Sequence, residues 1–226
     1  MVSEARGAAG SGGPAALGPP LVGVLAVQGA FAEHEHAIEV AGGRARAVRV
    51  PAELEGIDAL VVPGGESTTF GLVASRSGLL DAVRERIADG LPVLGTCAGM
   101  IMLADATTGG PQPLLGGMDV VVRRNAFGRQ VASFETELAM PALGPEAMPA
   151  VFIRAPWIES AGPDVEVLAE HAGHPVAVRQ GSLLAVAFHP ELTGDTRLHR
   201  LLLDMAREAR VTSRQRGTGG ERVRAQ

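Results

Sequence analysis

Lysine is absent from the 226 residues, and all 20 basic residues are arginine. That absence excludes a Schiff-base lysine, a phosphate-loop lysine and a lysine general base. Tyrosine is absent as well, which removes one more candidate acid. A single cysteine, Cys97, cannot close an internal disulfide, so a secreted, cross-linked framework is not expected and a reduced thiol in the cytoplasm is. No apolar run approaches the roughly 18 to 20 residues of a membrane span. A net charge of -5 offers no basic footprint for nucleic acid or an anionic membrane surface. The expected partners are therefore a small metabolite or another protein, and the chemistry must come from Cys, His, Asp, Glu, Ser, Thr or a cofactor.

What is present is an ample supply of core, 46% of residues being hydrophobic, in a chain of the length of one α/β domain. Residues 1–20 are rich in Gly, Ala and Pro without apolar periodicity and are expected to be a disordered extension. The end from Thr212, "TSRQRGTGGERVRAQ", carries four arginines against one glutamate and is expected to be a disordered, frayed tail. Between them, residues 21–211 alternate strand-like and helix-like segments. "LVGVLAVQG" has the near-continuous apolar character of a strand buried on both faces, and "FAEHEHAIEVAG" follows with helical spacing. "ARAVRV", "IDALVVPGG", the helix "SGLLDAVRERIADG", "LPVLGTC" and the helical "AGMIMLADA" continue the alternation. The second half is denser in strands and closes with the helix "TRLHRLLLDMAREARV". The pattern predicts a doubly wound, mostly parallel mixed sheet with right-handed crossovers.

Cys97 stands in the frame Gly95-Thr96-Cys97-Ala98-Gly99 at the carboxyl end of a predicted strand, where ligands gather in such sheets. The frame matches the Gly-x-Ser-x-Gly nucleophile elbow with sulfur in place of oxygen, and it sets the thiol at a helix start that favours thiolate. The competing reading is a small buried hydrophobe. A nucleophilic thiol needs a base, and His189 ends the apolar run "LLAVAF". If strand geometry persists through "HPEL", His189 and Glu191 project to one side, so that the carboxylate can fix the imidazole's tautomer. His34 and His36 point about 200° apart on a helix, unlike a zinc pair, and read as helix-surface residues. His171 and His174 bracket a turn and also read as surface groups; His199 is expected to face solvent. "VPGGESTTFG" is either an ordinary strand-turn-helix, with Ser67, Thr68 or Thr69 as cap, or a set of free backbone N–H groups that receive an oxyanion.

With these residues in view, the chain from about Leu21 to Val211 resembles the class I, triad-type glutamine amidotransferases. Within them it is most similar to the glutaminase subunits of pyridoxal 5'-phosphate synthase. "LAVQGAFAEH", "VPGGESTT", "LGTCAGMIMLA", "RRNAFGRQ", "FIRAPWI" and "FHPELTGD" carry the resemblance. It implies a single flavodoxin-like glutaminase domain in which Cys97, His189 and Glu191 hydrolyse L-glutamine to glutamate and ammonia through a thioester. It also implies an oxyanion hole from the N–H groups of Gly65 and Ala98. Gly65, Glu66, Ser67, Arg124, Ile153 and Arg154 would line the glutamine pocket, and no cofactor or metal would be needed. The ammonia would go to a TIM-barrel synthase subunit, and glutaminase activity would be weak until that partner binds. Arginine suits amino-acid carboxylates, but Arg123 or Arg129 reads equally well as a surface group.

Two other readings are a cysteine hydrolase or deglycase built on the same elbow, and a catalytically silent protein that only scaffolds the synthase. Ammonia release from glutamine separates the first. The joint presence of Cys97, His189 and Glu191 argues against the second.

Overall fold

The computed structural model describes residues 18–27, 29–108, 110–127 and 133–223. The first half of the chain lays down β1 (Leu21–Leu25), α1 (Phe31–Val40), β2 (Arg44–Val48), β3 (Ala59–Val62), α2 (Ser67–Arg76), α3 (Leu79–Ala88), β4 (Val93–Thr96) and α4 (Ala98–Leu103). The second half adds eight strands: β5 (Ala104–Thr107), β6 (Met118–Arg123), β7 (Ser133–Leu138), β8 (Met148–Ile153), β9 (Trp157–Ala161), β10 (Glu166–His171), β11 (His174–Gln180) and β12 (Leu183–Val186). Helix α5 (Arg197–Val223) follows them. Seven strands form the main sheet in the order β10-β11-β12-β4-β3-β1-β2, with β5-β6-β9 and β7-β8 as two smaller sheets. From β12 to β2 every pairing is parallel; β10 and β11 add an antiparallel edge.

The apolar runs explain this order. β3, β4 and β12 are buried at every residue, as a strand covered on both faces must be. The strand order runs outward in opposite directions from β1 and β3, so right-handed crossovers send α1 to one face and α2 and α3 to the other. Helix α5 returns to pack on α1 and β3. It does so through Leu198, His199, Leu202, Leu203 and Ala206, an i, i+3, i+4, i+7 stripe in which every member is fully buried.

Several expectations need correction. The helix starting at Ala98 ends at Leu103, and Ala104 to Thr107 turn out as strand β5 in the smaller sheet. Helix α2 is capped by Glu66, whose carboxylate accepts from the N–H groups of Thr68 and Thr69, so the cap is neither Ser67 nor the threonines. The frayed tail expected from Thr212 is helical as far as Val223, continuous with α5. Of the amino-terminal extension, residues 1–17 lie outside the described residues, while the Gly18 carbonyl accepts from Arg210 Nη1 at 2.8 Å and Pro20 O from Arg44 N at 2.9 Å.

Candidate active site

Three adjacent strands, β3, β4 and β12, end at the same edge of the main sheet and deliver Gly64 to Ser67, Cys97 and His189 to one place. Cys97 leaves β4 with φ 51°, a left-handed conformation that costs a non-glycine residue energy and persists only where its surroundings enforce it. The enforcement is visible in its neighbours. Cys97 N donates to Val186 O of β12 at 2.8 Å, and a Cβ on Gly99 would stand 1.9 Å from Val62 O of β3. The two glycines of the elbow frame are thus demanded by close backbone approach. Helix α4 has only six residues, so its axial field on the sulfur is that of a short helix.

His189 does not sit on a continued strand. β12 ends at Val186, and Pro190 to Leu192 form a short 3-10 turn, so the same-side geometry expected of a strand is not what pairs His189 with Glu191. The turn achieves the pairing instead, with His189 Nδ1 2.7 Å from Glu191 Oε1 and the Glu191 side chain wholly buried. His189 and Cys97 both border Gly64, where an added Cβ would stand 3.4 Å from Cys97 Cβ, and Cys97 is among the groups that raise the His189 pKa. The approach requires a bare backbone at Gly64, because a Cβ there would come within 2.5 Å of His189 Cε1. Burial opposes the charged ring. Interactions with Cys97 and Glu191 outweigh it and raise His189 to about 10. The ring therefore holds a proton more firmly than a free imidazole does.

These groups open into a cavity of about 360 Å³ lined by Gly65, Glu66, Ser67, Cys97, Ala98, Ile101, Arg124, Asn125, Ile153, Arg154, Pro156 and His189. Every residue named from the sequence for the glutamine pocket and the oxyanion hole lies on this wall; Glu191 alone stands behind it, beneath His189. Arg124 Nη2 pairs with Glu66 Oε1 at 3.0 Å, while its Nη1 donates to Thr68 Oγ1 and to Gln112 Oε1, both at 3.1 Å. Hydrogen bonds from the Thr69 hydroxyl and the Thr69 N–H, with a lesser one from the Thr68 N–H, hold the Glu66 carboxyl down at about 2 against the opposing effect of burial. The Ser67 hydroxyl donates to the same Gln112 oxygen at 3.2 Å. Cys97 Sγ lies 3.8 Å from the carbonyl oxygen of Ile153, and Arg154, at φ 46°, bends the chain between β8 and β9. Arg123, for which a surface role stood open, pairs with Glu159 at 2.9 Å and does not line the cavity. Arg129 lies outside the described residues.

Sequence reading missed Asn125, Pro156, Ile101 and the anchoring Gln112. The first three lie inside motifs that drew notice for other residues, and nothing local marks Gln112. It also misplaced two histidines. His34 and His199 are fully buried, not at the surface, and their rings are 3.0 Å apart between His34 Nδ1 and His199 Nε2. His36 is exposed as expected. His171 stacks against Phe134 and Phe152, and His174 lies 3.7 Å over Trp157, so both are half-buried members of ring clusters. Among the described residues, no group of three or more His, Cys, Asp or Glu is placed to hold a metal ion. Nor, among them, is any helix long and apolar enough to cross a membrane.

A family model for the SNO glutamine amidotransferase family matches residues 24–208. The pyridoxal 5'-phosphate synthase subunit PdxT of Parafrankia sp. (strain EAN1pec) is 58% identical over 193 residues, which is 84% of this chain and 95% of that protein. The protein of the same name from Streptomyces coelicolor is 56% identical over 85% of this chain and 96% of its own. A solved structure described as a glutamine amidotransferase superposes with a TM-score of 0.78 at 53% identity, covering 82% of this chain and 98% of its own. The structure of PurLQS from Thermotoga maritima, TM-score 0.60 at 15% identity, covers 85% of this chain and 99% of its own and shares the fold alone. By the extent of the family match and the identity of these relatives, the chain belongs to the SNO glutamine amidotransferase family.

Proposed function

We propose that this protein hydrolyses L-glutamine to glutamate and ammonia and supplies the ammonia to the synthase subunit of a pyridoxal 5'-phosphate synthase. The observation that carries the reading is the placement of His189. Its ring pairs with the buried Glu191 and, together with Cys97, lines a cavity that also bears the Glu66–Arg124 ion pair. Opposite charges in the same cavity as a nucleophile suit the ammonium and carboxylate of an amino acid whose side chain reaches the sulfur. In this reading Gly65, Glu66, Ser67, Arg124, Ile153 and Arg154 form the substrate wall.

Cys97 passes its thiol proton to His189 and attacks the side-chain amide carbon as the C=O electrons move onto oxygen, where the N–H groups of Gly65 and Ala98 receive them. Collapse of this intermediate breaks the C–N bond, and His189 gives its proton to the leaving nitrogen. The proton is ready to leave at that moment. Interaction with Cys97 helps hold it on the ring, and thioester formation removes that interaction. His189, now neutral, takes a proton from water, and the hydroxide releases glutamate and restores the thiolate. Glu191 keeps Nδ1 protonated and oriented throughout.

The synthase partner is read as a TIM-barrel protein, and the chain's lack of lysine agrees with leaving imine chemistry on sugar phosphates to that partner. Residues 21–211 constitute the glutaminase unit, working in the cytoplasm. The decisive assay is ammonia release from L-glutamine with and without the synthase subunit. Release that rises on adding the partner supports the reading; absence of release in both conditions refutes it.

A further inference from the structure

The triad does not end at Glu191. Its second oxygen, Oε2, is buried, accepts no well-formed hydrogen bond among the described residues, and has His34 Nε2 at 3.2 Å. That same nitrogen is 3.1 Å from Oγ1 of Thr96, the residue before the nucleophile. On the far side of the ring, His34 Nδ1 meets His199 Nε2, and His199 Nδ1 is buried without a partner among the described residues. Helix α1, helix α5, the end of β4 and the 3-10 turn after β12 thus converge on one buried imidazole that glutamine hydrolysis, as written above, does not use.

Two independent arguments fix its proton. An unprotonated Nε2 would hold its lone pair within 3.2 Å of a carboxylate oxygen, so the Glu191 side favours Nε2–H. From the other end, an N–H on His199 Nδ1 would be a buried orphan donor, which folded proteins rarely tolerate, whereas an unpaired lone pair there costs less. His199 therefore carries its proton on Nε2 and donates it to His34 Nδ1, which again leaves His34 with Nε2–H. Burial, and then its neighbours His199 and His189, hold the His34 ring well below its ordinary pKa, so it is a neutral donor of one hydrogen bond.

We propose that His34 is a positioning residue for the reaction, its Nε2–H shared between Thr96 Oγ1 and Glu191 Oε2 so that Glu191 Oε1 stays directed at His189 Nδ1. His199 acts one step further out by setting the His34 tautomer. The inference rests on the Cys97–His189–Glu191 reading given above and extends it inward by two residues.

The test measures steady-state ammonia release from L-glutamine by the full chain with its synthase subunit. In His34→Leu the loss of the donor is expected to lower kcat about 10- to 100-fold while KM changes less than about twofold. His34→Gln, whose amide nitrogen can occupy the place of Nε2, keeps kcat within about threefold, while His34→Asn, which reaches only the place of Nδ1, falls with the leucine variant. A role confined to stability would move Tm without ranking glutamine above asparagine in kcat. Equal kcat for the glutamine and asparagine variants, or an undiminished kcat in His34→Leu, overturns the proposal. If the leucine variant does not fold, the glutamine and asparagine pair still decides. Cys97→Ala, assayed alongside, separates the two levels. Release that survives there sinks the triad itself, whereas an inactive Cys97→Ala beside a fully active His34→Leu sinks only the positioning role.

Discussion

The charge on one imidazole governs the chemistry at the smallest scale. His189 is raised to about 10, and its added stability is therefore fully present below its ordinary value near 6.5 and lost as pH climbs through about 10. Glu191→Gln removes one of the negative charges responsible, so the His189 ring is expected to titrate lower, measurable as its Cε1–H chemical shift against pH. An unshifted titration would show that Glu191 does not hold the proton. The same substitution is expected to reduce turnover less than Cys97→Ala, because Glu191 orients and does not react. Arg124→Ala should act on the other end of the cavity, raising KM for glutamine more than it lowers kcat, as loss of uniform substrate binding does. Equal loss in kcat with KM unchanged would place Arg124 outside substrate binding. At the elbow, Gly99→Ala sets a methyl against Val62 O, where neither backbone can withdraw, and is expected to cost about 2 kcal/mol or more in urea unfolding.

Between elements, the clasp of His34 on α1 and His199 on α5 makes the fold acid-sensitive. Burial lowers His199 to about 4, only partly offset by Asp195, while the unfolded chain takes up its proton near 6.5. The unfolded state then binds the extra proton between those values, so stability falls as pH drops through that window. Comparing pH 7 with pH 5, wild type should lose on the order of 2 kcal/mol more than His199→Phe, read from urea midpoints. Equal losses would mean that His199 is not buried neutral. Neither histidine was placed correctly by sequence reasoning, although the signal existed. His34 shares a face with Ala37 and Ile38, and His199 with Leu202, Leu203 and Ala206, which is the spacing of a buried stripe. A polar residue on such a stripe reads as solvated until its partner is known, and here the partner lies 165 residues away. The Cys97 elbow was legible because its glycine frame is contiguous in sequence, although the backbone that demands Gly99 belongs to β3. The His189–Glu191 pair was legible as a pair, but the 3-10 turn that makes it was not, since a two-residue spacing fits either geometry. Gln112 reaches Arg124 only through tertiary packing, and no local pattern marks it.

At the scale of the whole molecule, the order of the strands does the functional work. Continuous apolar runs forecast a parallel sheet buried on both faces, and that sheet gathers the ends of β3, β4 and β12 into one cavity. The smaller sheets escaped sequence reading, because β5 follows directly on a buried helix and its four residues carry too short a pattern to mark a change of period. A glutaminase of this architecture is expected to respond to its synthase as a unit, with turnover rising when the two are mixed. The most direct measurement is ammonia release from L-glutamine by wild type and by Cys97→Ala, each with the synthase subunit and with equal binding to it established. Wild type should release ammonia and Cys97→Ala none above the uncatalysed rate; substantial release by the folded, partner-bound Cys97→Ala protein would contradict a thioester formed on Cys97.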